Sequence, residues 1–263
     1  MQQYECISIE RGQDVATCLL DRPDRRNAIN PQMIAELTGF FRDELPGSGI
    51  RAVVLRGSNG FFCAGADLNW MKESASFSAE QNHADALALY DMFDALDSAP
   101  CLTIAAVEGG AFGGGIGMIA CCDVAIGVHG TKYSLSELRL GLSPATISPF
   151  VTAKVGASYA RMLMLSAIAF DDAKALECGL LQECCSAADL DHRVDSYVTA
   201  ALQCSPAALA ATKQLLRENA NMGSDIRVRT AKLIAHLRTS PEGQEGLASF
   251  LEKRKPAWVS AGD

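Results

Sequence analysis

The sequence has little positive charge, no paired zinc-ligand motif and few histidines. Its 263 residues carry 23 Lys and Arg against 31 Asp and Glu, which gives a net charge of -8. This balance and the absence of a basic run argue against a nucleic-acid backbone as the main ligand. The ten cysteines form no C-x-x-C pair and the four histidines show no ligand spacing, so we expect no metal site. We interpret the cysteines as small buried apolar residues in a reducing compartment.

Apolar segments long enough to cross a membrane are also missing. The uncharged run 109–122 is too short and too rich in glycine for that purpose. Residues 1–11 include Glu5, Glu10 and Arg11 and lack the apolar core of a secretion signal. We therefore expect a cytoplasmic protein that makes no membrane contact.

The apolar content and its pattern predict an α/β fold. Hydrophobic residues make up 49% of the chain, enough for a sizeable core, while the length leaves the number of domains open. Two short strand-like runs on either side of Gly12-Gln13-Asp14 predict a hairpin, and Asn30-Pro31 predicts the start of a helix. Strand and helix patterns then alternate, which indicates a mostly parallel sheet. From residue 153 onward the pattern is mainly helical.

Two segments with uncovered backbone carry the strongest chemical signal. Six glycines lie within 109–117, and the segment 61–67 has the same character and ends in Gly65-Ala66-Asp67. Glycine leaves N–H groups accessible, and two such turns can direct two donors at one oxygen. That arrangement stabilises an enolate or a tetrahedral oxyanion. The glycines alone are equally compatible with tight turns.

A series of short motifs runs along nearly the whole chain. The central motifs are Cys63-Ala64-Gly65-Ala66-Asp67, Gly110-Ala111-Phe112-Gly113-Gly114-Gly115, Cys122-Asp123, Glu137 and Leu140-Gly141-Leu142. The terminal motifs are Arg22-Pro23, Arg26-Asn27-Ala28 and Phe250-Leu251-Glu252-Lys253-Arg254. In their order along the chain, these motifs resemble the enoyl-CoA hydratase/isomerase (crotonase) superfamily. The resemblance implies an α/β crotonase fold. Its spiral of ββα units would hold CoA and the active site over residues 1–200, and a helical trimerisation region would follow over 201–263.

The same resemblance implies which residues act. The backbone N–H groups of Ala66 and Gly114 would form an oxyanion hole, and Glu137 would transfer protons. The apolar neighbours of Glu137 form a setting that can raise a carboxyl pKa towards a working range. Considered without the family, the sequence favours Glu137 and Arg139 as ordinary surface charges on a loop, and the family position reverses that interpretation.

Further positions are implied for binding CoA, which is part of the substrate, so that no separate cofactor is expected. The implied substrate- and CoA-binding residues are Arg26, Ala64, Ala66, Asp67, Leu68, Gly114, Phe250 and Lys253. Arg26 would meet the phosphates, and Phe250 and Lys253 would reach the nucleotide of a neighbouring subunit in a homotrimer or a dimer of trimers. The alternative for Lys253 is a solvated helix end.

Gly117 departs from the family pattern. Many family hydratases carry a second glutamate at this position, and their two carboxylates activate water. Three functions therefore stay open: a hydratase with one carboxylate, a 3,2-trans-enoyl-CoA isomerase that only moves a proton, and a non-catalytic acyl-CoA-binding scaffold.

The surrounding sequence favours a hydratase of branched esters. Segments 113–117, 120–123, 135–137 and 140–149 resemble bacterial hydratases of 3-methylglutaconyl-CoA and isohexenylglutaconyl-CoA, which act in leucine and acyclic-terpene catabolism. Glycine at position 117 would remove a negative charge near the substrate carboxylate and open volume for a branched β-carbon. For that carboxylate we predict a cation, Arg139 or Lys72, or a helix N-terminus near the acyl pocket.

Overall fold

The computed structural model describes residues 4–219, 233, 234, 236 and 240–259. The strands are β1 (Ile7–Arg11), β2 (Val15–Leu20), β3 (Ala52–Gly57), β4 (Leu102–Val107), β5 (Gly110–Phe112), β6 (Val124–Val128), β7 (Lys132–Ser134), β8 (Phe170–Asp171) and β9 (Glu183–Cys185). The helices are α1 (Pro31–Gly39), α2 (Leu68–Ser74), α3 (Ala79–Asp97), α4 (Gly114–Cys121), α5 (Ser148–Ser166), α6 (Asp172–Glu177), α7 (Leu190–Leu202), α8 (Pro206–Asn219) and α9 (Pro241–Glu252). The mainly helical pattern after residue 153 also predicts a helix over 226–237, which falls mostly outside the described residues.

A six-stranded sheet in the order β1-β2-β3-β4-β6-β9 forms the centre. Only the β1–β2 hairpin is antiparallel, and the other neighbours pair in parallel. The predicted hairpin and the mostly parallel α/β core are thereby confirmed. Asn30 caps α1 as predicted, since its side chain accepts a hydrogen bond from the N–H of Met33.

Strand β3 shows how the sheet is covered on both faces. Val53 and Leu55 belong to the core formed with α1, α3 and α4. The alternate residues Ala52 and Val54 pack in a second core with α7. Because both faces are buried, the strand reads as an unbroken apolar run rather than as an alternating pattern.

A second, three-stranded sheet in the order β5-β7-β8 lies where the glycine cluster begins. Strands β5 and β7 pair in parallel with Phe112 opposite Ser134. An isolated bridge between Cys63 and Ala111 attaches the segment 61–67 to β5. The segment 61–67, strand β5 and strand β7 are therefore neighbours in the fold, although they are distant in sequence.

The helices after residue 200 differ in how they are held. Lys213 of α8 donates to Asp123 at 2.7 Å, and Arg217 pairs with Asp94 and Asp97 of α3. Helix α9, in contrast, leaves Phe250 81% and Leu251 76% exposed. The division at residue 200 and the trimer stay predictions.

Two further features bear on the expectations from composition. No helix in the described part of the chain combines the length and apolar character needed to span a membrane. Across those same residues, no group of three or more His, Cys, Asp or Glu side chains is arranged to hold a metal ion. The ten cysteines are all free, and most are buried.

Candidate active site

Backbone pairing brings the two predicted oxyanion donors to one cavity. The N–H of Cys63 donates to Gly110 at 3.1 Å, and its carbonyl accepts from Phe112 at 3.0 Å. For the N–H groups of Ala66 and Gly114, no acceptor is found among the described residues. Both residues line a cavity of about 370 Å³. Two free donors beside one cavity are what an oxyanion hole requires.

The turn that carries Ala66 is fixed by a buried ion pair. The carboxylate of Asp67, which is 4% exposed, accepts from Arg22 at 2.7 Å and from the N–H of Asn69 at 2.7 Å. Burial raises the pKa of Asp67, but the hydrogen bonds from Arg22 and Asn69 outweigh it and hold this pKa below its usual value. Arg22 also donates to the carbonyl of Ala28. The Asp67 side chain is therefore occupied within the turn, its N–H donates to Ile29 at 2.8 Å, and its carbonyl accepts from Met71 at 2.9 Å. Asp67 does not line the cavity, and its predicted contact with CoA stays a prediction.

The β5–β7 register carries Glu137 to the glycine cluster. The N–H of Gly113, the residue after β5, donates to the carbonyl of Ser134 at 3.0 Å. Glu137 lies three residues further on, at the start of a short 3₁₀ turn that ends at Gly141. A side-chain carbon built on Gly113 would lie 3.0 Å from Glu137 Oε1. The carboxylate therefore sits directly beside the residue that precedes the donor Gly114.

The environment of Glu137 suits proton transfer. Its Oε2 is buried and has no hydrogen-bond partner within the described part of the chain. Burial raises the pKa of Glu137 above its ordinary value, and a backbone hydrogen bond offsets this only in part. The predicted rise in pKa is confirmed. A carboxyl with a raised pKa holds a proton more readily, which suits a group that accepts a proton and then returns it.

The space expected at Gly117 is filled. A side-chain carbon built on Gly117 would lie 2.5 Å from Ile147 Cγ2 and 2.9 Å from Phe93 Cε1. Both neighbours are buried, Ile147 at 3% exposure and Phe93 at 0%. The prediction that glycine opens volume for the acyl chain is therefore wrong, because the side chain of Ile147 occupies that volume. Ile147 itself lines the cavity and was not identified from the sequence, since nothing in its local pattern marks it.

Apolar side chains form most of the remaining cavity wall. They belong to Ile29, Leu68, Trp70, Met71, Leu89, Phe112, Leu140, Leu142, Pro144 and Ile147. The polar side chains are those of Ser74, Asp85, Ser136, Glu137, Ser143 and Thr146. Asp85 accepts a hydrogen bond from the indole of Trp70 at 3.2 Å. Among the described residues that line the cavity there is no Lys, Arg or His.

The two cations predicted for a substrate carboxylate lie elsewhere. Arg139 donates to the carbonyl of Ala167 at 2.8 Å, and Lys72 is exposed on α2. Neither side chain lines the cavity. Their predicted role in the acyl pocket is therefore wrong. The other predicted element, a helix N-terminus, is present, because Thr146 and Ile147 line the cavity immediately before α5 begins.

The predicted CoA-binding residues fall into two groups. Ala64, Ala66, Leu68 and Gly114 line the cavity, and Leu68 is 72% exposed. Arg26 lies outside its lining with an exposed side chain 5.6 Å above the ring of Phe61, while its carbonyl accepts from the N–H of Ala64.

Two predicted residues lie on the C-terminal helix. Phe250 and Lys253 do not line the cavity of their own chain. Lys253 is exposed and ends α9 in a left-handed conformation. The predicted contact of these residues with CoA in a neighbouring subunit stays a prediction.

Comparison with known proteins agrees with this geometry. Residues 10–261 match the family Enoyl-CoA hydratase/isomerase. The enoyl-CoA hydratase AKT6-1 of Alternaria alternata is 36% identical over 248 residues, which span 90% of this chain and 78% of the relative.

Solved structures of relatives superimpose closely. The enoyl-CoA hydratase of Shewanella pealeana is 40% identical, with a TM-score of 0.93 over 97% of each chain. Pseudomonas aeruginosa AtuE is 35% identical, with a TM-score of 0.94 over 97% of this chain and 100% of its own. These matches confirm the α/β crotonase fold. The chain belongs to the enoyl-CoA hydratase/isomerase family of enzymes, whose substrates are CoA thioesters.

Proposed function

We propose that this enzyme adds water to the 2,3-double bond of a branched glutaconyl-type CoA thioester, 3-methylglutaconyl-CoA or isohexenylglutaconyl-CoA. One observation carries the proposal. The cavity holds one carboxylate with an unpartnered buried oxygen, Glu137, beside the free N–H groups of Ala66 and Gly114, whereas the other lining carboxylate, Asp85, accepts a hydrogen bond from Trp70. Near Gly117, the position of the family's second glutamate, the cavity is bordered by Ile147. Such a reaction belongs to leucine or acyclic-terpene breakdown.

The oxyanion hole would act on the thioester oxygen. When water adds to C3, the electrons of the double bond move onto this oxygen and form an enolate. The N–H groups of Ala66 and Gly114 would donate to it, and each fixed donor of this kind is worth about 3 kcal/mol of barrier. Gly114 also begins α4, whose N-terminal dipole favours the negative charge.

Glu137 would carry the proton in both directions. The ionised carboxylate takes a proton from water while the water oxygen bonds to C3. The resulting carboxylic acid then gives that proton to C2 as the enolate collapses to the thioester. The carboxylate is regenerated, so one group completes the cycle.

A branched acyl group suits a site with one carboxylate. An alkyl substituent on C3 stabilises positive character at that carbon in the transition state, so that proton donation to C2 by Glu137 contributes more and activation of water by a base contributes less. The apolar side chain of Ile147 gives this substituent a surface to contact. These two effects support a branched substrate over an unbranched one.

Two candidate substrates differ in whether the acyl group carries a free carboxylate. Ser143 and Thr146 supply hydroxyl donors next to the N-terminus of α5, which supports a glutaconyl ester. The absence of Lys, Arg and His among the described lining residues favours a second candidate, an uncharged branched ester such as 3-methylcrotonyl-CoA.

Four substrates test the proposal in pairs. Crotonyl-, 3-methylcrotonyl-, glutaconyl- and 3-methylglutaconyl-CoA vary the branch and the carboxylate independently, and hydration is followed as loss of the conjugated thioester absorbance. We expect the highest kcat/KM on 3-methylglutaconyl-CoA. Faster hydration of 3-methylcrotonyl-CoA would establish the uncharged candidate, and equal rates on all four would contradict both.

The same assay separates the other functions. An isomerase would create the conjugated absorbance from a 3-enoyl-CoA without hydrating any 2-enoyl ester. A scaffold would bind acyl-CoA, measured by calorimetry, and change neither absorbance. Either result would replace hydration as the function.

The proposed enzyme is a homotrimer or a dimer of trimers in the cytoplasm. The exposed apolar side chains of α9 support assembly, and the free cysteines support a reducing compartment. Sedimentation velocity at micromolar concentration should show no monomer. A monomer would remove the basis for a CoA site shared between subunits.

A further inference from the structure

We propose that Ile147 is the specificity-determining residue of this site: it excludes a second carboxylate from position 117 and selects substrates branched at C3. The first half of this proposal concerns packing and stands without the proposed function. The second half rests on the proposed hydration of a branched ester. Different measurements test the two halves.

The packing at position 117 leaves no room for a side chain. Gly117 lies inside α4 and is buried, and its missing side-chain carbon would overlap Ile147 Cγ2 at 2.5 Å. Ile147 Cβ would be 3.1 Å away, so both Cγ2 and Cβ of Ile147 would crowd a side chain at position 117. A glutamate at this position would additionally place its carboxylate in an apolar environment.

The two residues that block position 117 are held in place. Phe93 is fully buried, and its ring packs at 6.0 Å from the ring of Phe150 on α5. The carbonyl of Ile147 accepts the N–H of Val151 at 3.0 Å, which joins Ile147 to the start of the same helix. A side chain at position 117 would therefore have to displace a packed wall rather than a mobile side chain.

Ile147 also borders the substrate cavity. Ile147 lines the same cavity as Glu137 and the two oxyanion donors. A C3 alkyl branch that contacts Ile147 gains burial, and one methylene in an apolar pocket changes kcat/KM by about 10–200-fold. An unbranched ester leaves that contact unmade. Ile147 thus links the loss of the second carboxylate to the preference for a branched β-carbon.

A stability experiment tests the packing half. Alanine in a helix interior normally stabilises a protein relative to glycine. Gly117→Ala should instead lower the midpoint of thermal unfolding by at least about 2–4 °C, as expected for overpacking in a protein of this size. In the Ile147→Ala background this loss should shrink, because Cγ2 is absent. Ile147→Val is the matched control: it keeps a methyl at the Cγ2 position and should not relieve the loss.

A kinetic experiment tests the specificity half. The ratio of kcat/KM for 3-methylglutaconyl-CoA over glutaconyl-CoA isolates the branch at constant charge. Ile147→Ala should lower this ratio by about tenfold or more, whereas Ile147→Val should lower it by less. The pair of 3-methylcrotonyl- and crotonyl-CoA repeats the measurement without the carboxylate.

Each outcome decides one part. The packing half is overturned if Gly117→Ala is as stable as the parent. It is also overturned if Ile147→Val relieves the loss of stability in Gly117→Ala as well as Ile147→Ala does. An unchanged branch ratio in Ile147→Ala overturns the specificity half, provided that the parent hydrates the esters. A parent that hydrates none of the four esters overturns the proposed function and the specificity half, while the stability experiment still decides the packing half.

Discussion

The cavity has two walls of opposite chemistry. On one wall, Glu137 carries a carboxylate with a buried, unpartnered oxygen next to Gly113. On the other wall lies Ile147, whose side chain fills, together with Phe93, the space beside the buried Gly117. In the proposed function, the first wall supplies proton transfer at the energetic cost of a desolvated carboxylate. The second wall supplies only an apolar surface. Under the proposed function, the comparison describes a site that keeps one carboxylate for proton transfer and has an apolar surface at Ile147 where many family hydratases have a second.

The largest expected effect comes from removing the chemistry of the first wall. Glu137→Gln should lower kcat by about 10²–10⁴-fold, because glutamine keeps the shape but cannot exchange a proton at neutral pH. Circular dichroism and CoA binding should be unchanged. Glu10→Gln, an exposed residue on β1, is the control and should keep the parental rate. Near-parental turnover of Glu137→Gln on every ester would show that another group moves the proton.

A smaller effect is expected from disturbing the position of that carboxylate. Gly113 has φ 48° and ψ -114°, a conformation that only glycine adopts easily, and an added carbon would lie 3.0 Å from Glu137 Oε1. Gly113→Ala should therefore lower kcat/KM by about 10²-fold, the size of effect seen when oxyanion donors are lost.

The control for Gly113→Ala separates strain from contact. Gly130→Ala also has a positive φ, 86°, but its added carbon would meet nothing within 4 Å. It should be somewhat less stable without losing activity. If both variants lost activity to the same degree, the contact with Glu137 would not be the cause.

The pH dependence tests whether one carboxylate works alone. Because its pKa is raised, Glu137 becomes protonated at a higher pH than an ordinary glutamate, and the protonated form cannot accept a proton from water. The logarithm of kcat/KM should therefore fall with slope one, about tenfold per pH unit, as pH drops below this raised pKa. A slope of two would indicate a second essential carboxylate.

The smallest effect concerns stability. Burial disfavours the charged form of Glu137, so its carboxyl supports folding best below the pKa of the unfolded chain and loses that contribution as pH rises through the raised folded value. Glu137→Gln should unfold at a higher temperature than the parent at neutral pH. The difference should disappear in acid, below the pKa of an ordinary glutamate. A difference that stays constant with pH would assign the effect to packing instead of charge.

Much of the site follows from local sequence signals. The glycines of 109–117, the segment 61–67 and Glu137 were all expected in the active site, and Ala66, Gly114 and Glu137 do line one cavity. Arg139 and Lys72 were misplaced because spacing along a chain says nothing about side-chain direction. The guanidinium of Arg139 reaches a carbonyl after α5. The clash at Gly117 was not foreseeable, since Ile147 meets it only through the packing of α4 against α5.

The sequence by itself determined the family, the α/β order of elements and the residue types that can do chemistry, because motifs and periodicity are local properties. Only the tertiary structure decided which groups meet. The β5–β7 register brings Glu137 to Gly113, and the Arg22–Asp67 pair holds the turn at Ala66. It also decided that the wall at Gly117 is closed. Steric exclusion depends on differences of a few tenths of an ångström in the distances between residues far apart in the chain. No local sequence pattern encodes those distances.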